Sequence, residues 1–210
     1  MKTRKLTALL LASTMLLSAA GCTIRRSEVQ KEYIEALEDV DFVKHSSNNK
    51  DDIKDGAYTS TKSPEAIEEF FDECKFDTPD EYDVHCLTYA LKRNKDKETK
   101  KVNYLTSFLI EFKDEDDAED AFEDIIDFYY DMNDEYDTYY NVENAIDADD
   151  DYFYLFAQDG TTSISVAIVL VDENIYFIEA QGYGDEMEDY VDLVNDLCDS
   201  LGFDNPSDLL

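Results

Sequence analysis

A few groups of residues in this chain have types and spacings that chemistry could use. Asp147, Asp149 and Asp151 stand at the 1, 3, 5 spacing of an EF-hand loop, where carboxylate oxygens from alternate residues surround a hard cation. Position 6 of such a loop needs glycine and position 12 a bidentate glutamate, but here they are Tyr152 and Gln158. The EF-hand pattern fails, leaving a solvated acidic loop or a looser divalent-cation site. Gly182-Tyr183-Gly184 precedes a helical pattern, as half of a dinucleotide fingerprint does. Met187 takes the third glycine position, however, and Asp185 and Glu186 put negative charge where a phosphate would sit. His85 adjoins Cys86, yet neighbours along a strand point to opposite faces, so they form no nucleophile and base pair.

The run from Lys92 to Lys101 is the least expected feature. It holds Lys92, Arg93, Lys95, Lys97, Lys100 and Lys101 within ten positions, in a chain with 18 basic and 52 acidic residues and a formal charge of −34. Charged tips keep hairpins soluble, and the same loop is a candidate docking site for an anionic wall polymer, lipid headgroups or an acidic envelope protein. Nucleic acid is excluded by the sign of the charge. With 52 acidic residues, a carboxylate pair at glycosidase separation is uninformative, and there is no tryptophan to build a sugar platform. No Cys-x-x-Cys occurs and only two histidines exist, so no zinc site is spelled out. The expectation is a non-enzymatic binding module with no cofactor. A divalent-cation-binding surface protein is the alternative, and an envelope hydrolase the third reading.

These residues need elements to position them. Ser63-Pro64-Glu65 reads as a helix start, with serine as cap and proline at the first helical position, followed by an apolar stripe through Ile67, Phe70, Phe71 and Cys74. Tyr82 to Leu91 and Val102 to Phe112 alternate as strands and pair as a hairpin. Asp114 caps a helix running to about Met132, with a short edge strand expected around Tyr139 to Val142. Three strands follow, Tyr152 to Ala157, Thr162 to Val171 and Ile175 to Ala180. They are joined by an Asp159-Gly160 turn and by Asp172-Glu173-Asn174. A last helix opens with a capping-box pattern at Asp185 and ends before Gly202. The predicted fold class is α+β: a two-layer sandwich, with an antiparallel sheet of about five strands and helices on one face. Cys74 and Cys198 then share that helical layer, as a disulfide or as two packed thiols.

The N-terminus carries an address. Lys2, Arg4 and Lys5 precede an apolar stretch from Leu6 to Ala20 that is too short for a comfortable membrane span. The run Leu17-Ser18-Ala19-Ala20-Gly21-Cys22 resembles the lipobox of bacterial lipoproteins, with Ala19 where leucine is usual. That resemblance implies that residues 1–21 are removed and that Cys22 receives a diacylglyceryl group. The mature protein would then sit on the extracytoplasmic face of the cell membrane, held by its lipid anchor. An ordinary secretory leader cut near Ala20 would leave Cys22 a plain thiol. Residues 22–62 read as a tether containing one amphipathic helix over Val29, Tyr33, Leu37 and Val40, its apolar face packed either on the domain or on nothing, and 63–210 as the acidic domain.

Overall fold

The middle strands are apolar at consecutive positions, and that decides the architecture. Leu109 and Ile110, Val166 to Val169, and Ile175 to Ile178 are all buried. Because successive strand side chains point to opposite faces, both faces of such a sheet need cover. A computed structural model describes residues 27–45, 56–74, 83–95, 100–139 and 143–210, with the backbone alone at 69, 71–74, 131–139 and 143–144. Its strands are β1 (Val43–Lys44), β2 (Ala57–Thr61), β3 (Val84–Lys95), β4 (Val102–Phe112), β5 (Glu143–Asp149), β6 (Tyr152–Gln158), β7 (Thr162–Val171) and β8 (Asn174–Tyr183). They form one eight-stranded sheet in the order β1-β2-β3-β4-β8-β7-β6-β5. The β1 and β2 pair is parallel and the remaining pairs are antiparallel.

Helices α1 (Glu28–Asp39) and α4 (Met187–Leu201) pack on the face that carries Leu105, Leu109, Ala167 and Ile178. Helices α2 (Pro64–Cys74) and α3 (Glu115–Tyr139) pack on the other, over Phe108, Ile110, Ile168 and Phe177. This corrects the expected two-layer sandwich with about five antiparallel strands and helices on one face. The sheet is mixed, has eight strands, and separates two helical layers. A one-sided reading leaves residues such as Leu109 and Ala167 without a partner layer; α1 and α4 supply it.

Helix α1 also moves the expected boundary between tether and domain. Ser27 Oγ accepts from Gln30 N at 2.9 Å and caps the helix. Tyr33 and Leu37 on its inner stripe are both 0% exposed. The Tyr33 hydroxyl lies 2.6 Å from Ser107 Oγ, whose own proton goes to the Phe177 carbonyl at 3.0 Å, so Tyr33 is the donor. Gln30 Nε2 donates to Thr88 Oγ1 at 3.0 Å and to Cys86 Sγ at 3.2 Å, and the Tyr58 hydroxyl donates to Glu38. The segment assigned to a tether thus contains a core helix and strand β2. Residues 23–26 alone separate Cys22 from Ser27.

Local signals fared better at some ends than at others. Asp114 Oδ1 accepts from Asp117 N at 3.1 Å, as a helix cap should, and Gly202 takes the left-handed conformation at φ 79° after α4. The capping box expected at Asp185 does not form. A short 3-10 turn, Gly184–Glu186, leads into α4 instead, and Glu186 makes no side-chain cap bond. The edge strand falls at Glu143–Asp149, beyond the expected Tyr139 to Val142; Tyr139 itself ends α3.

Candidate docking site

The β3 and β4 strands pair from Val84 opposite Phe112 to Lys95 opposite Val102, while β2 stops pairing at Leu91. Among the described residues the last four residues of β3 therefore run past their β2 neighbour, and Asn94 and Lys95, paired with Asn103 and Val102, also run past the β8 pairing that ends at Tyr104, as the end of a two-stranded finger. Lys92 is half-buried, and Arg93, Lys95, Lys100 and Lys101 are exposed. Lys97 lies outside the described residues. Arg93 stands opposite Tyr104 and Lys95 opposite Val102, on the sheet face that α3 covers lower down. The Tyr104 hydroxyl donates to Glu179 Oε1 at 2.6 Å, and Tyr129 donates to the other oxygen at 2.6 Å. Lys101 Nζ sits 4.4 Å from the centroid of the Tyr183 ring, a cation–π contact contributing about 0.5–1 kcal/mol at an exposed site.

On the opposite face, the Asn94 and Asn103 amides both donate to Glu186 Oε2, at 2.7 and 2.9 Å. Asn103 Oδ1 accepts from Tyr183 N at 2.7 Å, and Asn103 is 0% exposed. These bonds fasten the finger to the end of β8 and the entry to α4. Sequence reasoning missed Asn103, Tyr104, Tyr183 and Gln30. Gln30 alone left a signal, as a polar residue beside the apolar stripe of α1.

The other candidates separate. Asp147 and Asp149 lie on β5, paired with Tyr154 and Tyr152, and Asp151 lies in the following turn. An extended, paired strand cannot wrap an ion as a calcium loop does. Among the described residues no group of three or more His, Cys, Asp or Glu side chains is placed to hold a metal. His85 is exposed at a register shift in β3, with Nε2 2.9 Å from Lys62 Nζ, while Cys86 is buried. Burial, then the neighbouring Glu111 carboxylate, pushes the Cys86 thiol up to about 12, so it stays protonated at neutral pH.

Cys198 is likewise a free, buried thiol, pushed up to about 12 chiefly by burial. The pairing weighed for Cys74 and Cys198 assumed one helical layer. Their helices, α2 and α4, lie on opposite faces of the sheet, and the Cys74 side chain and Cys22 fall outside the described residues. Gly182 is explained by close approach: a Cβ there would meet Met187 Cα and O at 2.8 Å and Ser163 Oγ at 3.1 Å. No phosphate-binding role is needed for it.

Among the described residues no helix is long and apolar enough to cross a membrane. No family model matches the chain, and no curated protein matches it in sequence. One solved structure similar to it in part is the extracellular domain of PknH from Mycobacterium tuberculosis. The identity is 8% and the TM-score 0.33, over 57% of this chain and 65% of that one. Likeness at that level assigns neither a fold nor an activity.

Proposed function

We propose that this chain is an exported lipoprotein, anchored through Cys22 on the extracytoplasmic face of a bacterial membrane, whose body is a non-enzymatic binding module. The observation that carries the reading is the run Leu17 to Cys22 behind a basic and then an apolar segment. Two acyl chains on Cys22 would give lasting attachment, where one chain holds a protein only marginally. The basic finger supports the docking half. It concentrates positive charge, in a chain of net charge −34, on a hairpin fastened at its base by Asn94 and Asn103.

The test is the mass of the protein extracted from membranes, with fractionation of a Cys22→Ser variant. A mature N-terminus at Cys22 bearing diacylglycerol, and release of the variant into the soluble fraction, are expected. An unmodified Cys22 in the mature protein defeats the anchor.

A further inference from the structure

We infer that the basic finger is carried at the membrane-distal end of the body, where it takes a linear, phosphate-bearing polyanion of the envelope, not the headgroups of the membrane to which the protein is anchored. This deepens the reading above and rests on it for the anchor. At its start α1 lies over the base of β3, since Gln30 bonds Cys86 and Thr88. At its end Glu38 bonds Tyr58, which pairs with Ala90 further along β3. Helix α1 and β3 therefore run the same way, and the finger continues β3 away from Ser27. Nine strand steps from Cys86 to Lys95 span about 30 Å. The five steps from Cys22 to Ser27 cannot exceed about 19 Å. A lipid on Cys22 holds down the end opposite the finger.

To bring the finger onto its own membrane, the body would have to lie on one side, and each helical layer turns carboxylates outward. On α3 these are Glu119, Asp120, Glu123, Asp124 and Asp127; on α1 and α4 they are Glu32, Glu35, Glu188, Asp189, Asp192 and Asp196, all exposed. Loss of Lys2, Arg4 and Lys5 with the leader makes the chain three charges more negative than −34. A basic residue near an anionic leaflet gains about 1 kcal/mol, and each carboxylate pressed there meets the opposite sign. The upright orientation wins.

At the distal end, Arg93 and Lys95 lie two residues apart on one strand face, about 6.6 Å along it, so they meet successive charges of one extended chain. Lys101, over the Tyr183 ring, adds a third cation on the connection into β4. Arginine's fork engages two oxygens of one phosphate. The run itself carries Asp96 and Glu98 and, with its six cations, keeps a formal charge of +4; three acids on the adjoining elements have partners of their own. Glu186 is held by Asn94 and Asn103 on the other face, and Glu179 by Tyr104 and Tyr129. Asp159, which feels Lys101, accepts the Thr161 and Thr162 amides.

Binding of fluorescent long-chain polyphosphate tests the finger, using the full mature lipoprotein in neutral phosphatidylcholine vesicles and, in parallel, the soluble Cys22→Ser chain. The expected result is saturable binding in both. It should weaken at least tenfold in the combined Arg93→Gln, Lys95→Gln, Lys101→Gln variant, and between 50 and 200 mM salt. A Lys31→Gln, Lys113→Gln control, at the end near Ser27, should bind like the parent. Parental binding by the finger variant, or equal loss in the control, overturns the proposal. So does sedimentation of the Cys22→Ser chain with phosphatidylglycerol vesicles that the finger variant abolishes, because that assigns the finger to headgroups. An unmodified Cys22 removes the anchor and the membrane-distal placement with it, whereas the soluble titration still reads the finger alone.

Discussion

Removing the Ser107 hydroxyl should destabilise the fold more than removing the Tyr33 hydroxyl, although both changes break the same hydrogen bond. Tyr33 donates to Ser107 Oγ, which donates onward to the Phe177 carbonyl, and Tyr33 and Ser107 are both 0% exposed. In Tyr33→Phe, Ser107 keeps its bond to Phe177 and one neutral hydrogen bond is lost, a cost of about 0.5–1.5 kcal/mol. In Ser107→Ala the Tyr33 hydroxyl stays buried with its acceptor gone, which adds a desolvation penalty of about 1–3 kcal/mol. Once Ser107 is alanine, Tyr33→Phe removes the orphaned group and should be neutral or restoring. The two effects are therefore strongly non-additive. Urea unfolding of the Cys22→Ser chain at neutral pH, with m-values unchanged, measures all three. Equal single-mutant costs, or an additive double mutant, would refute the relay. Costs near zero throughout would mean that α1 is not part of the core.

The remaining predictions follow from packing and protonation. Gly182→Ala sets a Cβ against Met187 backbone atoms at 2.8 Å, and should cost about 1–3 kcal/mol in thermal unfolding; an unchanged melt would mean that α4 shifts freely. Cys86 and Cys198 should resist maleimide in the native protein near pH 7.5 and react once it is denatured, as peptide mapping of labelled samples would show. Both thiols are raised from an ordinary 9.0 to about 12, and burial raises the Tyr33, Tyr154 and Tyr176 phenols in the same direction. The folded chain holds protons that the unfolded chain gives up. That stability is complete below about pH 9 and is lost as pH rises toward 12. The urea midpoint should fall between pH 8 and 10.5, and a flat profile contradicts the burial of these groups.

Much of the strand and helix pattern was legible because it is local. The alternation over Val102 to Phe112, the Asp114 cap and the αL glycine at Gly202 each depend on a few neighbouring residues. What was not legible is which layer each helix joins. An amphipathic stripe says that a helix is covered, not by what. The polar residues of the Tyr33, Ser107 and Gln30, Thr88 contacts are 74 and 58 positions apart and look unremarkable in sequence. The consecutive apolar pairs in β4, β7 and β8 were the available sign of a doubly covered sheet. Residues of the docking site divide the same way. The basic run is plain to see, but the Asn94, Asn103 and Glu186 fastening joins residues 83 and 92 positions apart.

The acidic residues that first invited a calcium reading have a physical role in the sheet. Among the described residues β5 is a terminal strand of the sheet, and an edge strand presents backbone groups that can recruit a second chain. Asp147 and Asp149 on β5 are exposed, while Ala145, Ile146 and Ala148 are half-buried against the body. Two carboxylates would press against any strand added there, at a cost that grows with a partner as acidic as this chain. The other edge is kept short, because β1 is only Val43–Lys44. Negative charge thus guards the long edge and faces outward from both helical layers. A chain built this way repels copies of itself and anionic surfaces over both helical layers, and the Lys92 to Lys101 run is where its positive charge is densest.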